Sequence, residues 1–257
     1  MNKCLFFVVA ILVLQGCATN LTISPFVLED QASFYKDGAK IVISPQKNLV
    51  VARVLKERIT SLERMTFIIM VENTTHTPFD FSTENISVSL DGNSLKVFSY
   101  EELVAEVEAQ RRSMALAAAL GAVSRQMQVN QAGQQYHQGT INTNYYNPYG
   151  YRGQSTGTYS GYTYDPNATL QAQLASNAQT ARDAEMIKGH AETQLAELNN
   201  TMLKKETVFP GCCTGGYIKT SPPPMPITDK SRVLVQVMIS SDETHCFEFE
   251  LRKMINK

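Results

Sequence analysis

The chain has 257 residues, of which 43% are hydrophobic, and its 23 Lys and Arg nearly balance 24 Asp and Glu for a formal net charge of −1. This length allows one large domain or two modest ones. Near-neutral charge excludes a general nucleic-acid-binding role, because phosphate binding needs a basic surplus. We therefore predict no nucleic-acid partner.

The chain opens with an apolar run. Lys3 precedes an unbroken apolar stretch from Cys4 to Leu14. This stretch is too short to cross a bilayer, which takes about 20 apolar residues. It fits the hydrophobic region of a secretory signal peptide, which we predict over residues 1–16.

The end of this run, Leu14-Gln15-Gly16-Cys17, resembles the lipobox of bacterial lipoproteins. In that family the Cys becomes the new N-terminus and carries acyl chains such as palmitate, which implies that Cys17 is lipidated and anchors the protein to a membrane. Family members with Asp after the Cys commonly stay at the inner membrane. Ala18 at this position therefore implies the outer membrane, and we expect the protein to face the periplasm. The alternative is an ordinary secretory signal with an incidental Cys17.

Residues 17–98 carry strand signals. Several segments are rich in Val and Ile and alternate apolar with polar residues: Lys40–Ser44, Leu49–Leu55, Thr66–Val71, Ile86–Leu90 and Leu95–Phe98. Asp91-Gly92-Asn93 predicts a hairpin turn between the last two. These signals predict a half-buried antiparallel sheet.

Residues 99–205 change to helical patterns. Ser99 and Glu102 form a predicted capping box for a helix to about Gln131, and Asp165-Pro166 begins a second helix to about Lys205. We predict an antiparallel αα-hairpin about 50 Å long at 1.5 Å per residue. The apolar stretch 116–123 is expected to pack on the partner helix, and the alternative is that it rests on a membrane. A coiled-coil heptad seam in the second helix is formed by Leu170, Leu174, Asn177, Ala181, Ala184, Lys188, Ala191, Leu195, Leu198 and Met202.

The segment between the helices, residues 139–164, is rich in Tyr and Gly. It holds seven of the eleven tyrosines: Tyr145, Tyr146, Tyr149, Tyr151, Tyr159, Tyr162 and Tyr164. Such a composition cannot bury a core, which predicts a disordered tip. Tyrosines can nevertheless lie on a partner surface at low entropic cost. The segment is either a spacer or a contact surface for a protein, a glycan or an identical subunit.

Strand patterns return in residues 206–257, chiefly at Arg232–Ser240 and His245–Leu251. Phe67–Asn73, Thr207–Gly211 and Gly216–Ile218 resemble motifs of bacterial envelope proteins with an immunoglobulin-like β-sandwich. The resemblance implies an α+β protein, in which an immunoglobulin-like antiparallel β-sandwich is interrupted by the αα-hairpin. These domains share no catalytic residues.

Three cysteines remain once Cys4 is removed and Cys17 is modified: Cys212, Cys213 and Cys246. We expect a disulfide between Cys246 and either Cys212 or Cys213, since both segments look like neighbouring β elements in an oxidising compartment. A direct Cys212–Cys213 bond is the alternative. A zinc or copper site of Cys212, Cys213 and His245 is a third option.

No catalytic motif is present. The histidines, His76, His137, His190 and His245, lie outside recognisable motifs and are predicted to be surface residues. We predict a non-enzymatic outer-membrane lipoprotein without cofactor or metal, acting as a structural or interaction module towards an envelope protein or glycan. The alternative is a periplasmic redox or metal-handling protein that uses Cys212, Cys213, Cys246 and His245. Self-assembly into a homo-oligomer through the hairpins is a third possibility.

Overall fold

The computed structural model describes residues 19–146, 148–150, 152–228 and 231–254. The predicted signal peptide (1–16), the lipidated Cys17 and Tyr151 lie outside the described residues. The chain divides into two compact units. The β unit comprises residues up to 104 together with those from 196 onward, and the insertion unit comprises residues 105–195. The prediction of a mixed helix and strand protein with antiparallel sheets is confirmed.

The strands of the β unit are short to medium in length. In chain order they are β1 (Asn20–Phe26), β2 (Ala32–Lys36), β3 (Ala39–Pro45), β4 (Leu49–Val54), β5 (Arg58–Thr60), β6 (Thr66–Glu72), β7 (Phe79–Phe81), β8 (Ile86–Leu90), β9 (Asn93–Leu95) and β10 (Val97–Phe98). After the insertion come β13 (Glu206–Val208), β14 (Cys213–Thr220), β15 (Ser231–Ser240) and β16 (Glu243–Lys253).

These strands form two six-stranded antiparallel sheets and one small pair. The first sheet has the order β5-β1-β16-β15-β8-β9, the second sheet has the order β10-β14-β6-β4-β3-β2, and β13 pairs with β7. Asp91 and Gly92 join β8 to β9 and both have positive φ, as a two-residue hairpin turn requires. The hairpin predicted at this turn is confirmed.

The two large sheets share one hydrophobic core. Strand side chains alternate between faces, and this period places Phe67, Ile69 and Val71 of β6 and Phe247, Phe249 and Leu251 of β16 in the same buried cluster. The rings of Phe67 and Phe249 lie 4.9 Å apart between centroids. Each such side chain stabilises the fold by about 1.5–3 kcal/mol through burial.

The insertion unit is built from long elements: most of α1 (Tyr100–Ala132), β11 (Gln134–Tyr146), β12 (Arg152–Tyr164) and most of α2 (Pro166–Thr201). Both predicted helix starts are confirmed. Ser99 and Glu102 exchange side-chain to backbone hydrogen bonds of 3.2 and 3.1 Å, and the Asp165 carboxylate accepts from the backbone N–H of Asn167 at 2.9 Å. Within the described part of the chain, neither helix combines the length and the hydropathy that a membrane crossing requires.

The two helices run antiparallel but touch mainly through long polar side chains. The amides of Gln126 and Gln173 bond to one another, and the Arg125 guanidinium donates to Asp183 at 3.0 Å. The predicted seam is wrong in part, because Leu170 and Leu174 are 58% and 61% exposed. Packing of residues 116–123 on the partner helix is wrong for the large residues, since Leu116, Leu120 and Val123 face solvent, whereas the small residues Ala118, Gly121 and Ala122 are half-buried. Polar pairs and small residues occupy the inward positions instead.

The prediction of a disordered tip at 139–164 is wrong for the described residues. β11 and β12 pair antiparallel over their full length of 13 residues each. The prediction assumed that order requires a buried core. In an antiparallel ladder the backbone groups that face the partner strand satisfy each other, and Thr and Tyr favour the extended conformation.

Candidate functional site

The pair of strands β11 and β12, called the ribbon below, begins and ends at the adjoining tips of the two helices. The backbone N–H of Asp165 donates to the carbonyl of Gly133 at 2.8 Å, one residue beyond the end of α1. Asp165 is also the N-cap of α2. The base of the ribbon is therefore closed by a backbone hydrogen bond and fixed to a helix cap.

One face of the ribbon is a ladder of amide and hydroxyl groups. Directly opposed residues of an antiparallel pair point to the same face. Four uncharged pairs follow one another on this face: Gln138 with Ser160, Thr140 with Thr158, Asn142 with Thr156, and Asn144 with Gln154. At one end of this ladder the rings of Tyr136 and Tyr162 contact each other with centroids 5.2 Å apart, and at the other Arg152 lies over the Tyr146 ring.

The opposite face pairs each glycine of the strands with a larger residue. Gly139 opposes Tyr159, Gly153 opposes Tyr145, Gly157 opposes Ile141, and Gly161 opposes His137. The rings of Tyr159 and Tyr145 occupy the space that a Cβ would take at Gly139 and Gly153, whereas Gly157 and Gly161 have open space above them. An aromatic ring lying across a glycine shields the backbone there and defines the register of the strands.

The ribbon is exposed on both faces and along both edges. Only Gly139 and Gly153 among its residues are partly shielded, and the tyrosines at positions 145, 146, 149, 159, 162 and 164 are all more than half exposed. Each strand has a single neighbour, so the outer edges of β11 and β12 carry unpaired backbone groups. The structure thus brings six of the seven predicted contact tyrosines together on an open surface, with Tyr151 outside the described residues.

The expected disulfide is wrong, because Cys212, Cys213 and Cys246 are all free. Cys213 opens β14 in the second sheet, opposite Glu72, whereas Cys246 lies in β16 of the first sheet, opposite Gln236. The two segments lie in the same C-terminal region of the chain but belong to different sheets, and β15 lies between them in sequence. The alternative Cys212–Cys213 bond is likewise not formed.

His245, predicted to lie on the surface, is fully buried in a polar cluster. Its Nδ1 lies 3.0 Å from the Ser44 hydroxyl, and its Nε2 lies 3.2 Å from the Glu243 carboxylate. The Asn48 backbone and side-chain amides donate to the same carboxylate at 2.6 and 2.8 Å. Every member of this cluster is at least 97% buried, so the cluster braces β3, the following turn and β16 from inside.

Burial is the main cause that lowers the pKa of His245 below its usual 6.5, although the Glu243 hydrogen bond and charge act in the opposite direction. The neutral imidazole can donate from Nε2 to Glu243 and accept at Nδ1 from Ser44. A Ser-His-acid arrangement closed to solvent cannot receive a substrate. The alternation that buries Phe247, Phe249 and Leu251 also places His245 on the inward face, and this signal was available in the sequence.

The residues of the alternative redox or metal site are not brought together. His245 is enclosed with Ser44 and Glu243, whereas Cys212 and Cys213 are exposed. Residues 19–254, apart from positions 147, 151, 229 and 230, contain no group of three or more His, Cys, Asp or Glu that could hold a metal ion. The zinc or copper site proposed from the sequence is therefore wrong for the described residues.

Comparison of the chain with protein-family models, with curated proteins and with solved structures finds no match. The exposure and chemistry of the ribbon are therefore the grounds on which a function can be proposed.

Proposed function

We propose that this protein is a non-enzymatic, lipid-anchored lipoprotein of the bacterial outer membrane, facing the periplasm, and that it acts as a structural or protein-interaction module. The ribbon is its contact surface, and its partner is a protein or glycan of the envelope. The observation that carries this proposal is that the ribbon is open on both faces and both edges.

The ribbon has the chemistry of a contact surface. Its tyrosines present large, rigid, amphipathic rings that lose little side-chain entropy on binding. The neighbouring side-chain amides of Asn142, Asn144 and Gln154, and the hydroxyls of Thr140 and Thr158, can exchange hydrogen bonds with a polar partner. A two-stranded sheet without packing on either face is marginal in water, so contact with a partner adds stability that the ribbon lacks alone.

The β unit fits a scaffold better than an enzyme. Its Ser44, His245 and Glu243 are enclosed, which supports a bracing role over a catalytic one. Two antiparallel sheets around one core are compatible with the immunoglobulin-like sandwich that we propose for this unit. Helices and ribbon are then an insertion into a structural domain.

The anchor rests on the resemblance of Leu14-Gln15-Gly16-Cys17 to a lipobox. More than one acyl chain on Cys17 would hold the protein stably at a bilayer, since each buried methylene contributes about 0.8 kcal/mol. Intact-mass measurement of protein from its native host should show residues 1–16 removed and acyl groups on Cys17. An unmodified Cys17 thiol, or a retained leader, would overturn the anchor.

A ribbon replacement tests the contact function. Gln134–Tyr164 are exchanged for a short Gly/Ser linker, which the 2.8 Å contact between Gly133 and Asp165 allows without separating the helices. The full chain is then crosslinked in intact cells and its crosslinked neighbours are identified by mass spectrometry. We expect unchanged abundance and helical circular dichroism, with loss of the neighbours seen for the wild type.

The matched control is Cys212→Ser with Cys213→Ser, which changes two exposed residues of the β unit. This variant should keep every crosslinked neighbour. If the ribbon replacement keeps the same neighbours as the wild type, the ribbon is not the contact surface. If the cysteine variant alone loses them, the contact lies in the β unit.

A further inference from the structure

We propose that the ribbon's partner is further copies of this chain, joined edge to edge. The free edge of β12 in one copy pairs antiparallel with the free edge of β11 in the next, so that the ribbons build one continuous sheet. This inference rests on the proposed function in one respect, namely that the ribbon is a contact surface.

The edges of the ribbon are unlike every other strand edge in the described residues. The outer strands of the two large sheets, β5, β9, β10 and β2, have three, three, two and five residues. Those of the ribbon have 13 residues each, or about 43 Å at 3.3 Å per residue. Short edge strands commonly protect a sheet against pairing with another chain. The β unit has short edge strands, whereas the ribbon does not.

The ribbon also lacks the residues that block pairing between edges. Neither strand contains Pro or Lys, and Arg152, at the first position of β12, is the only Lys, Arg, Asp or Glu in the two strands. Lysines and prolines in an exposed edge strand usually prevent it from pairing with a strand of another chain. A 13-residue edge without them is available for strand addition.

The chemistry of the surface favours an identical partner over a different one. The ladder of Asn, Gln, Ser and Thr is uncharged, so two copies do not repel each other, and it offers no charge pattern to select an oppositely charged protein. Amide and hydroxyl side chains can bond to the same groups in the adjoining copy, and Asn and Gln ladders are typical of sheets that grow by adding like strands.

The order of joining follows from the two different edges. Pairing of β11 with β11 would satisfy one edge of each copy and leave both β12 edges open. Pairing of β12 with the next β11 satisfies both edges of every inner copy and keeps all ribbons pointing the same way, with antiparallel neighbours throughout. Such a head-to-tail contact closes into a ring or continues as a filament.

Helix α1 of the same unit supports self-association independently. Leu116, Leu120, Val123 and Met127 follow the 4-3-4 spacing of a coiled-coil seam, and all four are 55–64% exposed. A heptad stripe of this kind is complementary to a second stripe of the same sequence. The insertion unit therefore carries two surfaces that match a second copy.

Cysteine crosslinking between copies tests the proposal with the full chain in its native envelope. In a background with Cys212, Cys213 and Cys246 replaced by Ser, one tagged population carries Thr140→Cys and a second, differently tagged population carries Thr158→Cys. These residues oppose each other within one ribbon, so placing them in separate chains makes every bond between them intermolecular. Thr156→Cys and Ser160→Cys, on the same face, sample the neighbouring registers.

We expect Thr140→Cys to crosslink with one of the three β12 positions several-fold more than with itself. The matched control, Ser33→Cys on the short exposed strand β2, should give no such product with any of them. Predominant Thr140→Cys homodimers would overturn the head-to-tail order. Absence of all these products would overturn self-pairing, and if the ribbon replacement still loses its neighbours, the contact function stands with a different partner.

Discussion

The β unit and the insertion unit are held together by different forces. Most buried apolar side chains of the described residues belong to the β unit, and within 105–195 only Val129 and Ala191 reach that level of burial. The β unit is therefore stabilised by apolar area removed from water. The insertion unit relies on helix and ladder hydrogen bonds, which contribute less net free energy because the unfolded chain bonds to water instead.

This difference indicates where the molecule meets its surroundings. Exposed large apolar residues occur on both units but are more frequent along the insertion unit, from Leu116 on α1 through the tyrosines of the ribbon to Leu170 and Leu174 on α2. Large exposed apolar patches on a protein surface commonly mark contact sites. This difference supports our proposal that the β unit is the support and the insertion unit the contact region.

The largest expected effect comes from removing a core ring. Phe67→Ala deletes the side chain that meets Phe249 and should lower the free energy of unfolding of the β unit by about 3–5 kcal/mol. Leu120→Ala on the exposed face of α1 is the control and should change it by less than about 0.5 kcal/mol. Urea titrations followed by hydrogen exchange of β6 and β16 peptides measure both. Equal losses would mean that α1 also belongs to a packed core.

A smaller effect should appear with pH. Burial lowers the pKa of His245 in the folded chain. As the pH falls through 6.5, the imidazole therefore takes up a proton in the unfolded chain but not in the folded chain. Stability contributed by the neutral imidazole is therefore complete above about pH 6.5 and declines below it, by at most about 1.4 kcal/mol per pH unit for one proton.

The test compares urea unfolding between pH 7.5 and 5.5 in the wild type and in His245→Gln, whose amide can still donate to Glu243 and accept from Ser44. We expect the variant to lose the slope of stability with pH across this interval. His76→Gln, at an exposed imidazole, should keep the slope of the wild type. An unchanged slope in His245→Gln would show that another group titrates there.

The smallest effect concerns the ribbon alone. Gly153→Val displaces the Tyr145 ring and should lower the free energy of opening the ribbon by up to about 1 kcal/mol, while leaving the β unit unchanged. Gly157→Val is the matched control, since its side chain enters open space and Val favours strands. Hydrogen exchange of peptides from 134–146 measures the difference. Equal protection in both variants would exclude the ring from a role in ordering the ribbon.

Sequence patterns predicted the elements whose formation depends on residues close to each other in the chain. Alternation identified β6, β15 and β16, and the capping residues Ser99 and Asp165 identified both helix starts. β1 was missed because Ser24-Pro25 interrupts its apolar pattern. The ribbon was missed because its order comes from pairing between β11 and β12 and from tyrosines laid over glycines, which composition does not reveal.

The site residues divide in the same way. Burial of His245 was readable from the period of β16. Ser44, which bonds to His245, and Asn48, which bonds to Glu243, come from about 200 residues earlier in the chain. The separation of Cys213 from Cys246 depends on the order of strands in two sheets, a long-range property that cysteine spacing does not encode. The tyrosines were identified by clustering alone.

β1 begins at Asn20 and pairs with β16 on one side and β5 on the other. The linker between the proposed lipid anchor and the folded β unit is therefore very short. Cys17 precedes this strand by three residues, a span of about 10 Å when fully extended. A body tethered so closely cannot tumble freely above the lipid headgroups. Neighbouring molecules would then meet in two dimensions with similar orientations, which raises their local concentration and reduces the rotational entropy lost on assembly.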